Sequence, residues 1–211
     1  MLSPPPSVGE LRTVGIRPDE YRTIAGSELW WRVHRTASTF AVPWNALRTY
    51  GPVLRFDQHP LPKGEHPGVG VWYGASTPIA ALGEAFQQYR TIDRRFEVPY
   101  LTGLSFTRDV VVLDVATDSA GHWATRSGGT YALSSAEHTV TQQWARAICV
   151  AFPDLDGIRY NSRFTGAACV ALYTPAGSAM PGRPSTSRPL ADPALAGRLA
   201  QASDKLGYRL I

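Results

Sequence analysis

The order of its regular segments constrains this chain more than any other feature of its sequence. Runs rich in aromatic and β-branched residues occur at 28–35 (ELWWRVHR), 70–74 (GVWYG), 98–106, 110–115 (VVVLDV), 156–162 (DGIRYNS) and 167–174 (AACVALYT). Each reads as a strand. Only two longer helical segments interrupt them, one after the second run and one after the fourth. Strands thus follow strands directly, and regular βαβ alternation is missing. An α+β fold is predicted, with mixed central β-sheets and flanking helices, in preference to a doubly wound one. The near-continuous apolar run VVVLDV predicts a strand buried on both faces.

The first helix has a clear start. Ser76 or Thr77 can cap it, and Pro78 suits the first helical position. Ile79, Leu82 and Phe86 then share one face, and the helix is predicted to reach about Tyr89. The second is predicted over 135–152, with Ser134 and Glu137 at capping-box spacing and an apolar stripe of Val140, Trp144, Ala147, Ile148 and Ala151. Residues 36–68 are rich in Pro, Gly and His, and a long ordered loop of this kind tends to be functional. Residues 117–133 also read as loop. The expected organisation is a polar, Pro-containing arm over 1–27 and a catalytic domain over 28–175. A Pro/Gly/Ser linker with a short helix, docking through Leu195, Leu199 and Leu206, fills 176–211.

Composition narrows the function. Hydrophobic residues make up 44% of the 211, enough to fill a core. No apolar run approaches the roughly 20 residues that span a bilayer. The opening MLSPPPSVGELRTVG has three prolines and no apolar h-region, so it does not read as a secretory signal, and a cytoplasmic protein is expected. The net charge is +4 and the pI about 9.3. Lys63 and Lys205 are the only lysines among 21 basic residues, so nineteen are arginines. Guanidinium forks match phosphate oxygens, but a GC-rich genome gives the same bias. No basic run carries interleaved aromatics, so direct nucleic-acid binding is not expected. Cys149 and Cys169 sit in apolar runs and read as buried free thiols, and no Cys/His cluster has metal-ligand spacing.

Four places hold polar groups in contexts that invite chemistry. Arg32 lies inside WWRVHR, where it either snorkels to solvent or points into a polar cleft. Arg55 in VLRFD can pair with Asp57 or bind a ligand. Tyr73 ends a strand, and Glu84 follows it by eleven residues, in the second turn of the helix. Beside Glu84, Gly83 allows a close approach by backbone or ligand. Tyr160-Asn161-Ser162-Arg163 closes a strand, where a hydroxyl can orient a carboxylate or a sugar. Taken one at a time, each has an ordinary structural explanation.

Taken together, WRVHR, LRFD, WYGAS…ALGEAF and DGIRYNSR…GAACVALY resemble the RES domain, named for its Arg, Glu and Ser. The resemblance spans about 28–174. Val53 and Leu54 replace the glycines usual before the second Arg, and residues 60–68 look inserted. The resemblance implies a fold similar to ADP-ribosyltransferases, with NAD⁺ in a cleft as substrate and inorganic phosphate as a possible co-substrate. It implies catalytic roles for Arg55, Tyr73, Glu84 and Ser162, and substrate contacts from Arg32, Arg55, Tyr73 and Ser162. Glu84 would stabilise an oxocarbenium-like ribose while the arginines hold phosphate. Known activities of the family are NAD⁺ phosphorolysis, NAD⁺ hydrolysis and ADP-ribosylation of a protein. Many members are toxins neutralised by an Xre-type antitoxin. Two alternatives stand beside this reading: a non-enzymatic module for an anionic partner, and an enzyme cleaving another nucleoside.

Overall fold

In a computed structural model, residues 2–211 are described and form five α-helices and twelve strands. In chain order these are α1 (Val8–Val14), β1 (Tyr21–Ile24), β2 (Trp30–Arg35), β3 (Tyr50–Gly51), β4 (Gly64–Glu65), β5 (Val71–Ala75), α2 (Pro78–Ala85), β6 (Thr91–Ile92) and β7 (Pro99–Leu104). Then come β8 (Val110–Asp114), α3 (Trp123–Arg126), α4 (His138–Ala151), β9 (Gly157–Asn161), β10 (Ala168–Tyr173), β11 (Thr186–Pro189), α5 (Ala196–Leu206) and β12 (Arg209–Leu210). The fold is α+β, as the order of segments predicts.

Eight strands make one mixed sheet, in the order β1-β8-β9-β10-β5-β2-β7-β11. Only β8 and β9 run parallel, and the connection between them carries α3 and α4. Side chains alternate across the sheet and feed two cores. Cys169, Ala171 and Tyr173 of β10 join one core, in which Leu11, Leu82, Trp144, Ile148 and Leu199 bring in α1, α2, α4 and α5. Val170 and Leu172 join the other, with Trp30, Trp72, Leu104 and Phe106. Loop residues Trp44 and Leu47 cover that second face, together with Ala176 and Ala179. The VVVLDV strand feeds both: Val110 and Val112 face the second core, Leu113 and Val115 the first. Among the described residues no helix is long and apolar enough to cross a membrane.

The two ends of the chain depart from expectation. The expected arm supplies β1, which pairs with β8 from Tyr21 opposite Leu113 to Ile24 opposite Val110, and Leu11, which is fully buried. The expected linker supplies β11, paired with β7 from Thr186 opposite Gly103 to Pro189 opposite Tyr100. Both are edge strands with mostly exposed side chains, so they carry no apolar signal. The helix over 192–206 is present as a short 3₁₀ turn followed by α5, with the Asp192 side chain accepting from the Ala194 N–H at 2.9 Å.

Both long helices are shorter than their patterns suggest. Thr77 caps α2 by accepting from the Ala80 N–H at 3.2 Å, and the helix ends at Ala85 rather than near Tyr89. For α4 the capping box at Ser134 does not form. The Thr130 hydroxyl instead caps a 3₁₀ turn over Tyr131–Ser134, and α4 begins after Glu137 with no side-chain cap.

Candidate active site

The sheet opens beside Trp31. Strands β2 and β5 pair at one position, Trp31 opposite Ala75, and part beyond it. A hollow of about 180 Å³ lies there. Val33 of β2, Tyr73 of β5 and Ala81 of α2 are among its walls. Arg32, Arg55 and Glu84 bring charge to it. Four of the five residues singled out in the sequence therefore meet in one place.

Glu84 gets there through local rules. The Thr77 cap and Pro78 fix where α2 starts, so Glu84 falls in its second turn. Gly83 permits a close approach, and what approaches is the C-terminal part of the chain. A Cβ at Gly83 would lie 3.2 Å from Leu206 Cδ2, and the Tyr208 hydroxyl donates to the Gly83 carbonyl at 3.2 Å. The Ser162 hydroxyl donates to Glu84 Oε1 at 2.7 Å. Burial raises the Glu84 pKa above the ordinary carboxylate value, opposed by the Ser162 hydrogen bond and then by the charges of Arg163 and Arg55. Ser162 itself is only 2% exposed and lies behind the carboxylate instead of in the wall of the hollow. Its hydroxyl is directed to Glu84, not into the hollow where a direct substrate contact was expected.

Arg55 does not pair with Asp57. It is 8% exposed, and its Nη1 donates to the Ala136 carbonyl. It makes no ion pair among the described residues. Asp57 is fully buried and taken by others. Both its carboxylate oxygens receive Arg48 Nη2 at 2.8 Å, the Tyr73 hydroxyl donates to it at 2.8 Å, and the Val53 and Leu54 N–H groups close the turn on it. The sequence separation is nine residues to Arg48 and two to Arg55, and the turn that brings Asp57 inward leaves Arg55 on the side of the hollow.

This network uses the Tyr73 hydroxyl, which also accepts from the Phe56 N–H at 3.0 Å. Its ring is what Tyr73 offers a ligand. Arg32 is partly buried. Its Nη1 donates to the Ala46 and Trp44 carbonyls at 3.2 and 3.4 Å, and its guanidinium lies 5.6 Å from the centre of the Trp72 ring. Burial, with the nearby Arg48 charge, lowers its pKa to about 10, so it stays cationic at neutral pH.

Arg48, His138 and Tyr160 also line the hollow, and none of them was given a role from the sequence. Tyr160 stands two residues before Ser162 on an extended segment, and i and i+2 share a face, so alternation alone could have found it. Its ring packs on Phe56 with centroids 4.8 Å apart. His138 begins α4, and burial followed by the Arg55 charge lowers its pKa. Arg48 sits in an irregular loop, where no local pattern marks it. Both cysteines are free, and burial pushes both thiols up. Cys169 lines the hollow as a neutral apolar group.

Known proteins share this fold. The family described as RES domain matches residues 29–191, a span that includes β11. Among solved structures, a chain of the crystal structure of the M. tuberculosis MbcT–MbcA toxin–antitoxin complex is similar, with a TM-score of 0.57 and 17% identity. The match covers 92% of this chain and 96% of that one. A comparison with curated proteins finds no match. On the strength of the family match, which takes in every residue of the hollow named above, the chain belongs to the RES domain family.

Proposed function

We propose that this protein is an NAD⁺-degrading toxin that breaks the nicotinamide–ribose bond by phosphorolysis or hydrolysis. One observation carries the reading. Glu84, gripped by Ser162 at 2.7 Å, is the only carboxylate lining a hollow whose other formal charges are guanidiniums. NAD⁺ has a matching layout, two phosphate charges and a sugar that turns cationic as its bond to nicotinamide breaks.

In this mechanism the ionised Glu84 faces the ribose carbon and stabilises its oxocarbenium character. Burial strengthens that interaction because little water screens it. The ring of Tyr73 stacks on nicotinamide. Arg55, buried and without a carboxylate partner, holds phosphate oxygens of the substrate or of an attacking phosphate. The C–N bond electrons leave with nicotinamide. The new bond forms to an oxygen of phosphate or water, and the products are a phosphate ester of ADP-ribose or ADP-ribose itself.

Purified protein is mixed with NAD⁺, with and without inorganic phosphate, and released nicotinamide is measured. Release that requires phosphate identifies phosphorolysis, and release without it identifies hydrolysis. A labelled acceptor protein in lysate would shift the reading to ADP-ribosylation. Glu84→Gln, still folded, is expected to lower kcat by about 10²–10³. A folded wild-type protein that releases no nicotinamide under either condition overturns the reading. The likeness to a chain from a toxin–antitoxin complex supports a protein antitoxin, and we place the pair in the cytoplasm with an Xre-type partner.

A further inference from the structure

A larger groove, of about 500 Å³, lies along a neighbouring face of α2. The helix stands between it and the hollow at Glu84. Ala81 and Glu84 line the hollow, whereas Pro78, Ile79 and Leu82 line the groove. Trp31 is the one residue that lines both. A Cβ at Gly103 of β7 would come within 3.1 Å of the Trp31 indole, so this glycine makes room for the ring.

The groove is apolar below and cationic above. Leu82, Leu101, Leu195, Leu199 and Ala202 form its buried floor. Trp31 and Ile79 are left half-buried beside them. On α5 the polar residues follow the same helical count as the apolar ones. Leu195, Leu199 and Ala202 stand at i, i+4 and i+7 along the floor, and Arg198, Gln201 and Lys205 stand at i, i+3 and i+7 along the rim. Strand β11 adds Arg188. No carboxylate lines the groove. Arg188 is held by Asp192 at 2.8 Å, while Arg198 and Lys205 make no ion pair or side-chain hydrogen bond among the described residues.

This layout complements a molecule with an apolar body and a negative head. Its size argues for a small one. The walls come from α2, β2, β7, β11 and α5, and the volume lies within the roughly 300–1,000 Å³ of small-molecule sites. A docked peptide helix would need a longer groove, with anchors spread over several turns.

We infer that this groove is a second ligand site, for a small amphiphile with an anionic head, whose apolar body lies on Ile79, Leu82 and Leu199 and whose head lies between Arg198 and Lys205. The site is separate from the reaction proposed above, and its occupancy can be measured without turnover.

Calorimetric titration of the full chain with decanoate tests it, with decylammonium, the same chain carrying the opposite charge, as the control. Decanoate is expected to bind one molecule per chain and decylammonium not to bind. Arg198→Ala combined with Lys205→Ala removes both unpaired cations and is expected to weaken decanoate binding about tenfold. Ala194→Trp, on the exposed rim, fills the groove and is expected to abolish binding. These substitutions change exposed side chains, so both variants are expected to keep the wild-type thermal midpoint, which separates loss of the site from loss of the fold. No binding of decanoate by the wild type, equal binding of the two amphiphiles, or wild-type affinity in either variant overturns the site. So does a dimer in sedimentation that Ala194→Trp dissolves, because the groove then belongs to a second copy of the chain.

Discussion

A carboxylate sunk among Ala81, Tyr160 and Cys169 loses hydration, and the Ser162 hydroxyl restores part of what water would give. Removing that donor leaves burial less opposed, so Ser162→Ala moves the Glu84 pKa further up. The acid limb of the pH dependence of kcat/KM shifts to higher pH with it. Because the lost bond goes to a charged acceptor, the expected cost is about 1.5–3 kcal/mol of transition-state stabilisation at neutral pH. Ser162→Thr, which keeps a hydroxyl, restores part of it. An acid limb that stays in place in Ser162→Ala would show that the hydroxyl does not tune the carboxylate. Stability responds in the same direction. With its folded pKa above the unfolded value, Glu84 binds more protons when folded, so its contribution is full below the unfolded value. That contribution is lost as pH rises through the raised one.

Strands that carry an apolar face were legible in the sequence, and strands that do not were hidden. The run at β8 and the alternation of β10 announce burial directly. Strands β1 and β11 lie at the two edges of the sheet, and no three-residue stretch in either is buried. What identifies them is hydrogen bonding to β8 and β7, a pairing that periodicity cannot encode. The same divide runs through the site. The place of Glu84 in α2 follows from a cap, a proline and a helical count, while its candidacy and that of Ser162 came from the resemblance to the RES domain. The Arg48–Asp57–Tyr73 network depends on a turn within an irregular loop, and no repeat in the chain anticipates it. At β9, one small residue has a strict reason. A Cβ at Gly157 would lie 2.2 Å from the Ala171 carbonyl oxygen, in backbone of β10 that cannot swing aside. Gly157→Ala is expected to destabilise the fold by about 1–3 kcal/mol in chemical denaturation, as overpacking does. A midpoint equal to wild type would mean that β9 and β10 separate more easily than their register implies.

At the scale of the molecule, the domain does not stop near residue 175. Leu190, Leu195, Leu199, Ala202 and Tyr208 belong to the core that also holds α2 and α4, and β12 pairs with β6. Exposing a large buried apolar side chain forfeits about 1.5–3 kcal/mol, and a domain holds only about 5–15 in total. A fragment of residues 28–175 is therefore expected to show no cooperative thermal transition by circular dichroism. A sharp melt from that fragment would return the C-terminal region to the status of an appendage. The contact between Tyr208 and Gly83 also has a meaning in time. A ribosome makes Glu84 first, Ser162 78 residues later and Tyr208 125 residues after Gly83. At roughly 5–20 residues per second the serine trails its glutamate by about 4–16 s. The brace under α2 comes later still. Until translation has passed the last turn of α5, a half-made polypeptide thus holds the acid without its grip and without the brace beneath its helix.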